Sequence, residues 1–238
     1  MNRDLLLKGA KSYGIFLDEN KINMFEKYMV LLKEWNEKIN LTAITEDDEI
    51  VRKHFLDSIS IIKSGLINDN LKIIDVGTGA GFPGIPLKII NPTLKVTLLD
   101  SLKKRVNFLN QVINELGLKN IEAVHGRAED FARLDEYREK YDISTARAVA
   151  PMNILCEYCL PFVKVGGYFI AMKGPSIEEE IKDSKNAIGT LGGRLIDIVE
   201  TSIPEYDVNH KLIVVGKIKP TDKKYPRKPS QIEKKPIK

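Results

Sequence analysis

The stretch Ile73-Ile74-Asp75-Val76-Gly77-Thr78-Gly79-Ala80-Gly81-Phe82-Pro83-Gly84 decides how this chain is read. An apolar, β-branched run enters a turn of alternating glycines, and a helical pattern follows. Gly77, Gly79 and Gly81 let a ligand lie against the backbone, where any Cβ would intrude. In an open α/β sheet such a turn stands at the carboxyl end of a strand, where ligands bind. Gly79 to Gly84 also match the dinucleotide fingerprint GxGxxG, with Asp100 about twenty residues on. A pyrophosphate, however, needs free N–H groups at the helix start, and Pro83 and Pro86 have none. Asp75, ahead of the glycines, would repel a pyrophosphate and help hold an ammonium group. The turn therefore favours S-adenosylmethionine, which carries an amino group and a sulfonium but no phosphate. A nicotinamide dinucleotide, NAD(P), is the alternative.

Moving outward, Asp100 closes the next run, Val96-Thr97-Leu98-Leu99-Asp100, where a carboxylate can accept both hydroxyls of a ribose. A third run leads to His125-Gly126-Arg127-Ala128-Glu129-Asp130. Ala128 and Glu129 then lie at the same sheet edge, within reach of an adenine ring; without a ligand, Glu129 is a helix N-terminal acid. Strand-like runs at Lys72–Val76, Lys95–Leu99, Ile121–Val124, Asp142–Thr145 and Tyr168–Met172 alternate with helical patterns at 84–90, 103–116, 151–163 and 176–190. That alternation predicts right-handed crossovers and an α/β, Rossmann-like, mainly parallel sheet with helices on both faces. Arg194–Glu200 and Lys211–Ile218 follow without a helix between them, so the sheet ends in an antiparallel pair and is mixed.

Residues 1–68 read as an N-terminal helical region, ahead of a ligand-binding domain at 69–219. Ile22, Phe25, Met29, Leu32 and Ile39 make one apolar face, and Thr45-Glu46-Asp47-Asp48 resembles a capping box that starts another helix. His54 and Asp57 share a face of that helix; they either line a substrate cleft or join the helices to the sheet. The chain has 238 residues, 43% hydrophobic and 29% charged, which describes a folded globular protein. No apolar run approaches the roughly 18 residues of a membrane span, and the start lacks a signal-peptide pattern. Two cysteines fit a reducing, cytoplasmic setting. Cys156 and Cys159 match C-x-x-C but lack the further ligands of a metal site, so no metal is expected. The net charge is +4, yet residues 220–238 alone carry +5 and four prolines. Such a tail is not expected to form a regular helix; it is either a solvated segment or an arm that neutralises nucleic-acid phosphates.

Taken together, several motifs resemble the RsmG (GidB) family of bacterial 16S rRNA small-subunit methyltransferases. They are the glycine turn with its Phe-Pro-Gly-Ile-Pro extension, Asn40-Leu41-Thr42-Ala43, His54-x-x-Asp57-Ser58 and Ala146-Arg147-Ala148-Val149-Ala150. The resemblance implies a class I S-adenosylmethionine-dependent methyltransferase fold. It also implies methyl transfer to N7 of one guanine of 16S rRNA, guanine-527 in conventional rRNA numbering. Carried onto this sequence, the cofactor contacts fall on Gly77, Phe82, Ala128, Glu129 and Arg147, beside Asp75, Gly79, Gly81 and Asp100 read from the turn itself. Tyr225-Pro226-Arg227-Lys228-Pro229 resembles the family's terminal signature and departs from it at Ser230. Guanine N7 carries a free lone pair, so orientation suffices and no catalytic base is expected. The fourth-strand exit, Ser144-Thr145-Ala146-Arg147, lacks the Asn/Asp-Pro-Pro-aromatic motif of amino-group methylases, in keeping with a ring-nitrogen acceptor. Arg147 is suited to hold a cofactor carboxylate or a nucleotide phosphate. His54, Asp57, Lys173, Arg227 and Lys228 are the candidate RNA contacts. The expected partner is 16S rRNA in the small ribosomal subunit or an assembly intermediate, with the enzyme a monomer away from any membrane. The alternatives are methylation of another acceptor or an NAD(P)-dependent oxidoreductase.

Overall fold

A computed structural model describes residues 1–147, 150–203 and 206–237. Five parallel strands, β1 (Lys72–Val76), β2 (Lys95–Asp100), β3 (Ile121–His125), β4 (Tyr141–Arg147) and β5 (Val163–Lys173), form the body of one sheet. Two further strands, β6 (Gly193–Ile203) and β7 (Tyr206–Lys217), complete the order β3-β2-β1-β4-β5-β7-β6. Strand β7 runs antiparallel to both of its neighbours. The mixed, doubly wound sheet is thus the one the alternating pattern predicts. The last two strands are longer than read, because β6 and β7 go on pairing with each other as far as Ile203↔Tyr206.

Successive side chains of a strand point to opposite faces, and β1 shows the consequence. Ile73 joins one core and Ile74 the other. The first core is closed by α1 (Arg3–Ser12), α2 (Glu19–Ile39), the helical segment 47–64, α5 (Gly84–Ile90) and α6 (Lys103–Glu115). Phe25 and Phe55 are fully buried there, each contributing about 1.5–3 kcal/mol of transfer free energy. The N-terminal helices therefore share a core with one sheet face. The second core holds α8 (Met152–Cys159) and α9 (Glu178–Thr190). Cys156 and Cys159 are buried in it as free thiols, both pushed up by burial.

The segment 47–64 departs from the regular helix expected after the Thr45–Asp48 pattern. It starts as α3 (Asp47–Ile50), widens into a π-helical turn Val51–Leu56, returns to α in α4 (Asp57–Ile59) and tightens to 3-10 at Ser60–Ser64. Glu46 stands at the N-cap without a side-chain cap bond. Asp47 instead pairs with the N-terminal amine at 3.2 Å and with Lys33 at 2.7 Å.

The tail is likewise more ordered than its composition predicts. Pro229 opens a short helix, α10 (Pro229–Lys234), because at the first helical position the missing N–H costs nothing. Arg138 donates to the carbonyls of Thr221, Asp222 and Tyr225, and Arg133 donates to those of Lys224 and Pro226. Among the described residues no helix is long and apolar enough to cross a membrane.

Candidate active site

Asp75 and the glycine turn, Asp100, Ala128 and Glu129, Arg147 and Lys173 all stand at or just beyond the carboxyl ends of β1 to β5. The glycine turn follows β1 with φ of 70°, 63° and 99° at Gly77, Gly79 and Gly81. These left-handed values are strained for residues with a Cβ. Over Gly79 an added Cβ would meet nothing within 4 Å, whereas one on Gly81 would come 2.8 Å from the Tyr28 hydroxyl. The turn is thus open on one side and buttressed on the other. Tyr28, from α2, donates its O–H to the carbonyl of Ala80.

The amides of this turn are nearly all engaged within the protein. Gly77 and Thr78 N–H donate to the Leu99 carbonyl at 2.8 and 3.1 Å. Gly79 N–H donates to Asp100 Oδ2 at 2.9 Å, and Gly81 and Phe82 N–H donate to the Thr78 carbonyl. Gly84 N–H donates to Asp75 Oδ2 at 2.8 Å, Ile85 N–H donates to the Gly81 carbonyl, and Pro83 has no N–H. Asp75 is fully buried beneath the turn, where its Oδ2 also accepts from the Thr78 hydroxyl at 2.6 Å. Its Oδ1 has no partner within the protein. Burial pushes the carboxyl up to about 6, against the hydrogen bonds from Thr78 and Gly84. Asp75 therefore shapes the turn from below and does not line the cavity above it.

That cavity, about 210 Å³, is lined by Gly77, Asp100, Gly126, Ala128, Glu129 and Tyr158 among others. Asp100 and Glu129 are buried at 3% and 5% exposure. Asp100 Oδ1 accepts from Leu102 N–H at 2.9 Å. Ala128 and Glu129 open the short helix α7 (Ala128–Phe131). The structure thus brings Gly77, Asp100, Ala128 and Glu129 together. It also adds Tyr158 and, from α10, Glu233, which the sequence did not single out.

On the other side of the turn lies a second cavity, of about 310 Å³, lined by Lys53, His54, Asp57, Arg147, Lys173 and His210 together with Met172 and Gly174. Arg147, at the end of β4, donates through Nη1 to Asp57 Oδ2 at 2.7 Å and to the Lys53 carbonyl at 3.0 Å. Its Nη2 stands 3.3 Å from His54 Nδ1. A guanidinium only donates, so His54 Nδ1 accepts and its proton is on Nε2, 2.8 Å from Thr42 Oγ1. Phe82 stacks on His54 with ring centroids 4.5 Å apart, and Arg147 lies over the same ring at 5.0 Å. The other oxygen of Asp57 receives His210 Nδ1 at 2.5 Å. The π-helical turn brings this about, since it carries His54 and hands the chain on to Asp57 at its end.

The electrostatics follow from those contacts. Burial and then the Arg147 charge lower His54 to about 3. Burial opposes the ionisation of Asp57, but the His210 hydrogen bond and Arg147 outweigh it and hold the carboxyl below its usual range. The hydrogen bond to Asp57 raises His210 above the ordinary histidine range. His210 was missed at the sequence level because strand pairing alone brings it beside a residue 153 positions away. Its one available signal was scarcity, since the chain has only three histidines.

Two expected RNA contacts have other engagements. Lys173 Nζ donates to the Ala150 carbonyl at 2.7 Å and to Glu180 at 2.6 Å. Arg227 forms a fork on Glu157, with Nε to Oε1 at 2.9 Å and Nη2 to Oε2 at 2.7 Å, and Glu157 is fully buried. Lys228 is exposed at the N-cap of α10. Of the motif around Arg147, Ala148 and Val149 lie outside the described residues, as does Lys238 of the tail. No group of three or more potential ligands among the described residues is placed to hold a metal ion.

Comparison with known proteins places this geometry. Similar folds include M. jannaschii TYW2 in complex with AdoMet, with TM-score 0.54 and 20% identity over 68% of this chain and 77% of that one. A SAM dependent methyltransferase from Aquifex aeolicus gives TM-score 0.54 and 20% identity over 74% of this chain and 96% of its own. At that identity the likeness establishes the fold, that of class I methyltransferases. Relatives by sequence are far nearer. The Ribosomal RNA small subunit methyltransferase G of Clostridium perfringens (strain 13 / Type A) is 57% identical over 99% of this chain and 98% of its own. That of Alkaliphilus metalliredigens (strain QYMF) is 54% identical over the whole of both chains. The family model described as GidB, rRNA small subunit methyltransferase G, matches residues 21–209. With that match across most of its length and relatives more than half identical end to end, the chain belongs to the rRNA small subunit methyltransferase G family.

Proposed function

We propose that this chain transfers a methyl group from S-adenosylmethionine to N7 of one guanine of 16S rRNA, guanine-527, in the cytoplasmic small ribosomal subunit or an assembly intermediate. One observation carries the choice of cofactor: the turn amides are consumed internally by Leu99, Asp100, Thr78, Asp75 and Gly81. A pyrophosphate would have almost nothing to bind, which disfavours the dinucleotide reading, while an adenosine without phosphates needs no such donors. Gly77, Ala128, Glu129 and Asp100 would hold the cofactor over the open face of Gly79. When bound, it supplies an electrophilic methyl group.

The second cavity is assigned to the acceptor base. His54, lowered to about 3, and Asp57, held below the usual carboxylate range, are both weak bases near neutrality. That suits an acceptor with its own lone pair, for which positioning is the whole task. Asp57 fixes Arg147 and His210, so His210 Nε2 is the ring nitrogen left to meet the O6 edge while N7 stays free.

The test uses small subunits from bacteria lacking the modification, incubated with the protein and methyl-labelled S-adenosylmethionine. The rRNA is then digested and its nucleosides identified by mass spectrometry. Label in 7-methylguanosine at one position is the expected result. Cofactor binding without label in rRNA would overturn the acceptor assignment, and absence of cofactor binding would reopen the dinucleotide reading.

A further inference from the structure

Residues 220–238 hold the chain's positive excess, yet in the fold they are pinned down. Lys217, buried at the end of β7, donates to the Leu160 carbonyl and to Thr221 Oγ1, each at 2.6 Å. Arg133 and Arg138 grip successive carbonyls up to Pro226. Arg227 neutralises the buried Glu157, and Ile232 is fully buried where α10 packs on α8. The result of this docking is that Glu233 stands on the wall of the cavity that Tyr158, Asp100 and Glu129 also line.

We propose that this docked tail forms one wall of the cofactor cavity, with Glu233 as a positioning and specificity residue that favours cationic adenosine ligands over phosphorylated ones. The inference rests on the cofactor reading given above. Asp100, Glu129 and Glu233 set three carboxylates around the cavity, against two guanidinium groups: Arg127, which is mostly exposed and pairs with Glu129 at 3.6 Å, and Arg105, which pairs with Asp100 at 3.4 Å. A sulfonium or ammonium gains from that field and a phosphate loses. Tyr158 registers the same surroundings: burial first, then the charges of Glu129, Glu233 and Glu157, push its phenol up to about 12.

The experiment measures binding of S-adenosylmethionine and of AMP to the full chain, unaltered and as E233Q and E233K, together with binding to small subunits. Glu233 is exposed, so neither substitution removes a core contact. E233K is expected to weaken S-adenosylmethionine binding about fivefold and to strengthen AMP binding, as a charge reversal at the rim of a partly screened site should. E233Q should do the same to a smaller degree. A second variant, I232A, loosens the anchor of α10. It should weaken S-adenosylmethionine binding too and speed tryptic cleavage after Lys234, which the cofactor should slow in the unaltered chain. Affinity for S-adenosylmethionine unchanged within about twofold in all three variants would overturn the proposal. So would an E233K that binds subunits more tightly with cofactor affinity unmoved, the behaviour of an RNA arm. An unaltered chain that binds no S-adenosylmethionine would overturn the cofactor reading itself, a result distinguishable from loss of the wall alone.

Discussion

At Gly79 the backbone stands at φ 63° with open space where a side chain would go. Valine there pays about 1–2 kcal/mol or more for the left-handed conformation and fills the space over the turn. G79V should keep a cooperative melt at somewhat reduced temperature while cofactor affinity, measured by calorimetry, falls at least tenfold. His54 gives a prediction in pH. Its folded value, about 3, lies below the unfolded 6.5, so its contribution is fully present above pH 6.5 and is lost as pH falls toward 3. The loss approaches about 1.4 kcal/mol for each pH unit below 6.5. Asp75 and His210, both raised, act in the opposite sense, so the measure is the difference: between pH 7 and pH 5, denaturant unfolding should show H54Q losing about 2 kcal/mol less stability than the unaltered protein. Gly77, Gly79 and Asp100 were legible from spacing alone. His210 was not, because adjacency across a sheet leaves no local trace in sequence. Arg227 misled for a related reason: a basic residue in a basic tail looks solvated until its acid, Glu157, is found inside a helix packed on the core.

The glycine turn owes its shape to helix α2 as much as to the strand before it. Tyr28 bonds to Ala80 and lies 5.4 Å from the Phe82 ring, so the N-terminal helices brace the cofactor side of the sheet. Y28F keeps the ring packing and removes one buried hydrogen bond, an effect of about 0.5–1.5 kcal/mol, or more because the Ala80 carbonyl is left unpaired. Thermal melting should show that modest loss, while the affinity for S-adenosylmethionine drops several-fold through a looser turn. An unchanged affinity would confine Tyr28 to stability. The parallel strands were readable because buried runs bounded by glycine and proline admit few other structures. The 47–64 segment was not. Val51, Phe55 and Ile59 are all buried at their four-residue steps, and the same spacing fits an α-helix or a widened turn. What lies across from the π-helical turn, the Arg147 guanidinium bound to Lys53, His54 and Asp57, leaves no trace in that spacing.

Over the whole molecule, the tail's basic residues divide into two populations. Arg227 is structural: R227M leaves the buried Glu157 without its counter-charge, keeping only the backbone N–H of residue 227 as a donor, a penalty of about 3–5 kcal/mol, and should lower the melting temperature by many degrees. Lys228 and Lys234 are exposed, and replacing each with glutamine should leave melting unchanged. If they meet RNA phosphates, the salt dependence of subunit binding falls by about one unit of logarithmic slope per lysine; an unchanged slope would move the RNA surface elsewhere. Charge bookkeeping alone did not separate these populations, since it counts residues and not their partners.

The cavity proposed for the acceptor draws His54 and Asp57 from the first quarter of the chain, Arg147 from its middle and His210 from the last eighth. Synthesis proceeds from the amino terminus, and domains generally fold as units while they emerge. The turn at Gly77–Gly84 thus leaves the ribosome well before the strand that bears His210, and the sheet edge is completed only when β7, which lies between β5 and β6, has been made. A growing chain can thus possess the glycine turn while the proposed acceptor cavity and the α10 wall of the cofactor cavity are both still missing. For a protein whose proposed target is a part of the ribosome, competence arrives only as translation of its own message nears its end, so the particle assembling it is not exposed to a half-finished catalyst.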